Sequence, residues 1–266
     1  MIYFSAHFYA LGKTLGTKAA AETIEMQARD SSKAELPALK TLWRLRAGED
    51  VVAYVDNGCC SLARGRSRIF HSALETMRQP QRDELEPVWF ACDDDCEATR
   101  STLLSAVSLA RETHGIVLIP YLLRDGSCGD LGPTHMTSVT LSCAKEDVRQ
   151  RQDGTLYAPC LGGGFGLVAA SLSACERFAR SWSHLTWKDD DGVSRIAAFA
   201  EAIYNDMWLG EDLSFFARCP EEIPVWALLT GQSYHAGHAL DLAEVPIGPV
   251  SDDPAPTLPS IRPILW

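Results

Sequence analysis

The chain has 266 residues, enough for one large domain or two small ones, and its 46% hydrophobic and 22% charged residues suit a globular protein with a sizeable core. A formal net charge of −11 argues against a surface that tracks a phosphate backbone, which relies on clustered lysine and arginine, while leaving room for a local basic pocket. Nine cysteines without a C-x-x-C pair form a poor metal-binding pattern. With no secretory leader in "MIYFSAHFYALGK", they place the expected compartment in a reducing cytoplasm, and no apolar run is long enough to span a bilayer.

In chain order, "MIYFSAHFYAL" predicts a first strand running into a loop, and "TKAAAETIEMQARD" and "AELPALKTLWRLRAGED" predict two helices. "VVAYVD" reads as a short buried strand, and "SRIFHSALETMRQ" places Ile69, Ala73, Leu74 and Met77 on one helical face. "EPVWFAC" is a further strand with Asp93, Asp94 and Asp95 just past its carboxyl end, before the helix "ATRSTLLSAVSLARETHG" and the strand "IVLIPYLL". This alternation predicts an α/β fold with a mixed, mostly parallel sheet flanked by helices, in which ligands bind outside the carboxyl ends of strands.

The second half reads differently. "TSVTLSCAKEDVRQRQDGTLYAPC" turns like antiparallel strands with a hairpin tip at "QDG", and "LGGGFGLVAASLSACERFAR" reads as a glycine-rich loop, an apolar segment and a helix. "SRIAAFAEAIYNDMWLGEDLSFFARC" predicts one helix, a break at Gly210, and a second helix opened by Glu211 and Asp212. The expected organisation is one domain over residues 1–240, with halves meeting near 130, and a proline-rich tail over 241–266.

Three adjacent carboxylates repel, so water at a turn or a cation must offset them. If a cation, Asp93 and Asp95 offer the oxygen ligands that Mg²⁺ or Mn²⁺ prefers, and these ions commonly bridge to phosphates. "LGGGFG" lacks the lysine of a Walker loop and the G-x-G-x-x-G spacing of a dinucleotide fold. Glu211 and Asp212 either complement a helix dipole or supply a base, and His235 or His238 in "SYHAGHALD" is either a surface histidine or a further metal ligand.

In this order, "RSRIFHSALE", a strand into "DDD", "GGGFGLVAASLSACERF", "GEDLSFFARC" and "HAG" resemble small nucleotide-sugar-dependent glycosyltransferases of the GT-A (Rossmann-like) fold, over about residues 50–240. The resemblance implies a nucleotide-sugar half over about 1–130 and an acceptor half, with a smaller antiparallel region, over about 131–240. It implies that Asp93, Asp95 and His235 hold Mn²⁺ or Mg²⁺ on the diphosphate of a UDP- or GDP-sugar, with His238 the less favoured histidine. It further implies Arg66 and Asp94 near the donor, Gly163, Gly164 and Phe165 along the donor–acceptor cleft, and Glu211 and Asp212 as the acidic pair, with Asp212 the base of an inverting transfer. Ser67 stands where asparagine is common in that family, and the base-binding residues are not readable. The acceptor is expected to be a saccharide, small molecule or protein rather than nucleic acid. The competing readings are a metal-dependent phosphohydrolase or nucleotidyltransferase, and a non-catalytic member of the fold that binds a nucleotide or partner.

Overall fold

A computed structural model describes residues 1–7, 17–47, 49–56, 62–79, 85–122, 138–141, 145–204, 207–235 and 238–245. The first half holds β1 (Ile2–His7), α1 (Thr17–Arg29), α2 (Pro37–Arg46), β2 (Val51–Asp56), α3 (Leu62–Met77), β3 (Val88–Asp93), β4 (Cys96–Ala98), α4 (Arg100–Thr113) and β5 (Ile116–Leu118). There follow β6 (Val139–Leu141), β7 (Arg149–Gln150), β8 (Leu156–Gly163), β9 (Leu167–Ser171), α5 (Leu172–Ser181), β10 (Thr186–Lys188) and β11 (Ser194–Ile196). The last elements are β12 (Ala202–Tyr204), β13 (Met207–Leu209), α6 (Glu211–Ala217), β14 (Val225–Leu228), β15 (Gln232–His235) and β16 (His238–Asp241).

The central sheet runs β2-β1-β3-β9-β5-β14-β8-β6, with β7 paired to β8. β1 pairs in parallel with β2 and β3, and β14 with β5. The β3–β9, β5–β9, β14–β8, β6–β8 and β7–β8 pairings are antiparallel. Among the described residues the sheet is mixed, as expected, but five antiparallel pairings outnumber three parallel ones, which corrects the expectation of a parallel majority. The causes are two strands from the second half of the chain: β9, which runs antiparallel between β3 and β5, and β8, which runs antiparallel to β14, β6 and β7.

Both faces of the sheet are covered, as the near-continuous apolar run of β3 requires. Alternation along the strands sends Tyr3 and Trp89 toward α3, where the Tyr3 and Ser72 hydroxyls hydrogen-bond and Phe70 meets the Trp89 ring edge-on. Phe4, Phe90 and Cys92 point the opposite way, and α2 and α4 pack together on that side. Thr99 and Ser171 cap α4 and α5 by accepting from the backbone N–H three residues on, and His114 closes α4 in the left-handed conformation.

Two further sequence expectations change. The stretch expected as a helix before Gly210 forms β11, β12 and β13. Its apolar residues are shared among short hairpins, and Ala198 and Phe199 enter the core between them. The glycine-rich loop is the end of β8 followed by a short bend into β9. A Cβ on Gly163 would stand 2.1 Å from the Ser138 carbonyl oxygen, and one on Gly162, at φ +148°, 2.5 Å from Phe216. These glycines permit close strand packing. The hairpin tip at Gln152–Gly154 forms as expected between β7 and β8. Asp241 ends β16, and Leu242 is fully buried beyond it. Residues 246–266 lie outside the described residues.

Candidate functional site

Arg66 sits in the second turn of α3, not at its start, and reaches the carboxyl end of β3 with 6% of its surface exposed. Its Nη2 donates to both oxygens of Asp93 at 2.8 Å. Its Nη1 donates to Glu211 Oε1 at 3.0 Å and to Asp212 Oδ1. Burial opposes the guanidinium charge, but Asp93, Asp212 and Glu211 together outweigh it and raise its pKa. One cation thus joins three carboxylates from two segments more than a hundred residues apart.

Asp212 lies in the first turn of α6, and its second oxygen accepts from the Phe165 backbone N–H at 3.1 Å. Burial pushes its pKa up to about 6, reinforced by Asp93 and Glu211 and opposed by Arg66 and the Phe165 N–H. The side chain keeps 22% of its surface open, so a ligand can reach it. An acid–base group titrating near neutrality at an accessible edge is suited to proton transfer.

A second cluster forms beside the first. After β3, Asp94 and Asp95 make the turn into β4, and β4 pairs antiparallel with β15 so that Cys96 lies opposite His235. His235 Nδ1 stands 2.5 Å from the Leu122 carbonyl oxygen, which only accepts, so this nitrogen carries the proton. Nε2 then faces Asp95 Oδ2 at 3.4 Å. The Cys96 thiol donates to Asp95 Oδ1 at 3.6 Å, and the donor atoms of Asp95, Cys96 and His235 all lie within 4.8 Å of one another. Asp95 and His235 fit a divalent cation, with the imidazole held in the metal-binding tautomer by its carbonyl partner. Asp93 spends both oxygens on Arg66.

The other expected site residues fall as follows. Asp94 is half-buried in the turn. Gly163 and Gly164 pack against Ser138 and Tyr121. The Phe165 ring, expected along a cleft, is 2% exposed among Trp89, Phe199, Phe215 and Phe216, and only its backbone N–H reaches the acidic cluster. The side chain of His238 lies outside the described residues.

The basic run "ARGRSR" is occupied internally. Arg64 and Arg68 bond Asp189, whose carboxyl they hold well below the usual range, and Arg195 joins them at 2.8 Å. Sequence reasoning missed Asp189, Tyr121 and Cys96, because only strand pairing and hairpin docking bring them to these partners. The cavity beside Arg66 and Asp93 is about 10 Å³, while a cavity of about 570 Å³ lies elsewhere, between Tyr54, the His71–Thr76 face of α3 and the β10–β11 hairpin. The small one admits a water molecule at most. The large cavity has charged groups of its own, Arg68, His71, Glu75, Asp190, Asp191 and Arg195, and touches none of Asp93, Asp95, Glu211 and Asp212.

No family model matches the chain. No curated protein matches its sequence. Among solved structures, A197 from STIV is similar at 14% identity and a TM-score of 0.46, covering 95% of this chain and 98% of the other. GalNAc-T7, solved with UDP, GalNAc and Mn²⁺, is similar at 11% identity and a TM-score of 0.43, covering 88% of this chain and 43% of the other. Likenesses this distant assign neither a fold family nor an activity. No helix among the described residues is long and apolar enough to cross a membrane.

Proposed function

We propose that the chain is a GT-A-like glycosyltransferase that moves a sugar from a nucleoside diphosphate to an acceptor hydroxyl. The observation that carries this reading is the Arg66 cluster, which joins three segments of the resemblance, the arginine helix, the aspartate turn and the Glu211–Asp212 helix, in one partly open site. Asp212, with a pKa of about 6, takes the proton of the acceptor hydroxyl in its ionised form. Attack from the face opposite the leaving group inverts the anomeric carbon. Asp95 and His235 would hold Mn²⁺ or Mg²⁺, which when bound neutralises charge on the departing diphosphate. Arg66 fixes Asp212 and Glu211 in place, while Asp94 and Asp95 stay half-buried in the turn beyond β3.

Calorimetric titration of UDP- and GDP-sugars with Mn²⁺ and with chelator tests the reading. It is supported by metal-dependent binding of one donor that is lost in Asp95→Asn. It fails if no donor binds under any condition. The small cavity at Arg66 and Asp93 favours a second reading, a non-catalytic member of the fold, for which donor binding without turnover would be the signature.

A further inference from the structure

We infer that Cys96 is a third protein ligand in a preformed Asp95–Cys96–His235 site, and that this site takes a thiophilic divalent ion, Zn²⁺ or Co²⁺, in preference to Mg²⁺. The inference shares Asp95 and His235 with the transferase reading but stands without any donor or activity.

The geometry is that of a half-built tetrahedron. Bonds of about 2.0–2.3 Å to oxygen, nitrogen and sulfur place neighbouring ligand atoms roughly 3.3–3.7 Å apart on a tetrahedron. Asp95 spans the other two donors with its two oxygens, Oδ2 standing 3.4 Å from His235 Nε2 and Oδ1 3.6 Å from Cys96 Sγ, so one oxygen serves as the shared vertex after a turn of the carboxylate. One ligand atom from each of the three residues lies within 4.8 Å of the other two, a spread that small side-chain rotations can close.

The surroundings hold each donor in place. The Leu122 carbonyl keeps a proton on His235 Nδ1, so Nε2 is the nitrogen available to an ion beside Asp95, and the Tyr121 ring lies 4.9 Å from the imidazole. Cys96 is fully buried, and Gly166 makes room for it, because a Cβ there would stand 2.8 Å from the Cys96 sulfur and from Tyr121. The Cys96–His235 register then sets the spacing of two donors by backbone hydrogen bonds. Three such ligands leave a fourth position for solvent or a substrate oxygen.

The donor set decides the ion. Mg²⁺ wants oxygen and gains little from a sulfur, whereas mixed oxygen, nitrogen and sulfur donors select zinc and its neighbours. On loading, the Cys96 S–H bond breaks, its proton leaves to solvent, and the sulfur's electron pair forms the bond to the ion. Nothing is oxidised or reduced.

Titration of the full chain with Co²⁺, followed by absorption, tests this. The wild type is expected to develop an intense sulfur-to-cobalt charge-transfer band that one equivalent of Zn²⁺ removes and a large excess of Mg²⁺ does not. Cys96→Ser should lose the band, and Cys219→Ser should keep it. If Cys96→Ser does not fold, zinc-edge X-ray absorption of the wild type must still show one sulfur at about 2.3 Å. No charge-transfer band in the wild type, a band that survives in folded Cys96→Ser, or a zinc shell of oxygen and nitrogen alone would overturn the inference. Mn²⁺-dependent donor binding without cobalt–sulfur absorption would overturn it while leaving the transferase reading standing.

Discussion

Asp212 carries opposed demands at a single carboxyl group. Its pKa rises from 3.8 to about 6 because burial and the neighbouring Asp93 and Glu211 disfavour its charge more than Arg66 and the Phe165 N–H favour it. A pKa raised on folding stabilises the protein fully below the unfolded value, near 3.8, and that contribution is lost as pH rises through about 6. Asp212→Asn, which mimics the neutral form, is therefore expected to be more stable than wild type at pH 8, by up to about 3 kcal/mol, and no more stable at pH 3.5. Urea unfolding at the two pH values checks this, and an equal difference at both would refute it. If Asp212 is the base, the same variant should retain donor binding and lose about 10²–10⁴ in turnover. Wild-type turnover should fall as the pH drops through about 6, where the ionised form disappears. Arg66 behaves differently: it bonds three acids at once, and Arg66→Met should cost up to about 3–5 kcal/mol by leaving three half-buried carboxylates without this cation.

The elements show why part of the site was legible and part was not. Strand β3 is a continuous apolar run that ends in polar residues, so the position of the aspartates at its carboxyl end follows from the segment alone. The acids opening α6 are legible for the same local reason, since glycine followed by two carboxylates marks a helix start. The meaning of "GGG" was not. Open loops and tight strand crossings both call for glycine, and only the positions of Ser138, Tyr121 and Phe216 distinguish them. Gly163→Ala should accordingly lose about 1–3 kcal/mol, because the obstructing atom is a backbone oxygen that cannot swing aside. Gly210→Ser, where a Cβ meets nothing within 4 Å and a hydroxyl can cap α6, should be neutral or slightly stabilising. Thermal unfolding of the pair checks this, and equal losses would refute the packing role. The misreading before Gly210 has a similar source. Apolar residues at near-helical spacing were divided among three short strands by contacts with α3, α6 and the aromatic core, none of which a local window contains.

For the whole molecule, the decisive feature is that the central sheet is assembled out of chain order. β3 and β5 are parallel strands joined by α4, and they do not touch; β9 lies between them and pairs with both. A periodicity count through residue 122 detects the strands but not the gap. A fragment ending at residue 150 should therefore lack a cooperative unfolding transition and bind a hydrophobic dye, since the facing edges of β3 and β5 remain unpaired. A sharp two-state transition in that fragment would refute the interpretation.

The position of β9 also sets a timetable for synthesis. While residues up to 166 are emerging from the ribosome, β3 keeps a free edge and β5 has neither of its partners, β9 and β14, which leaves an open slot with the kind of exposed edge on which chaperones act. When β9 enters the slot, the Asp93 N–H finds the Gly166 carbonyl at 2.9 Å, and the Phe165 N–H reaches the position where Asp212 later docks. Closure of the sheet and assembly of the acidic centre are thus both completed late in translation, the sheet when β14 joins β5 to β8 and the centre when Glu211 and Asp212 reach Arg66.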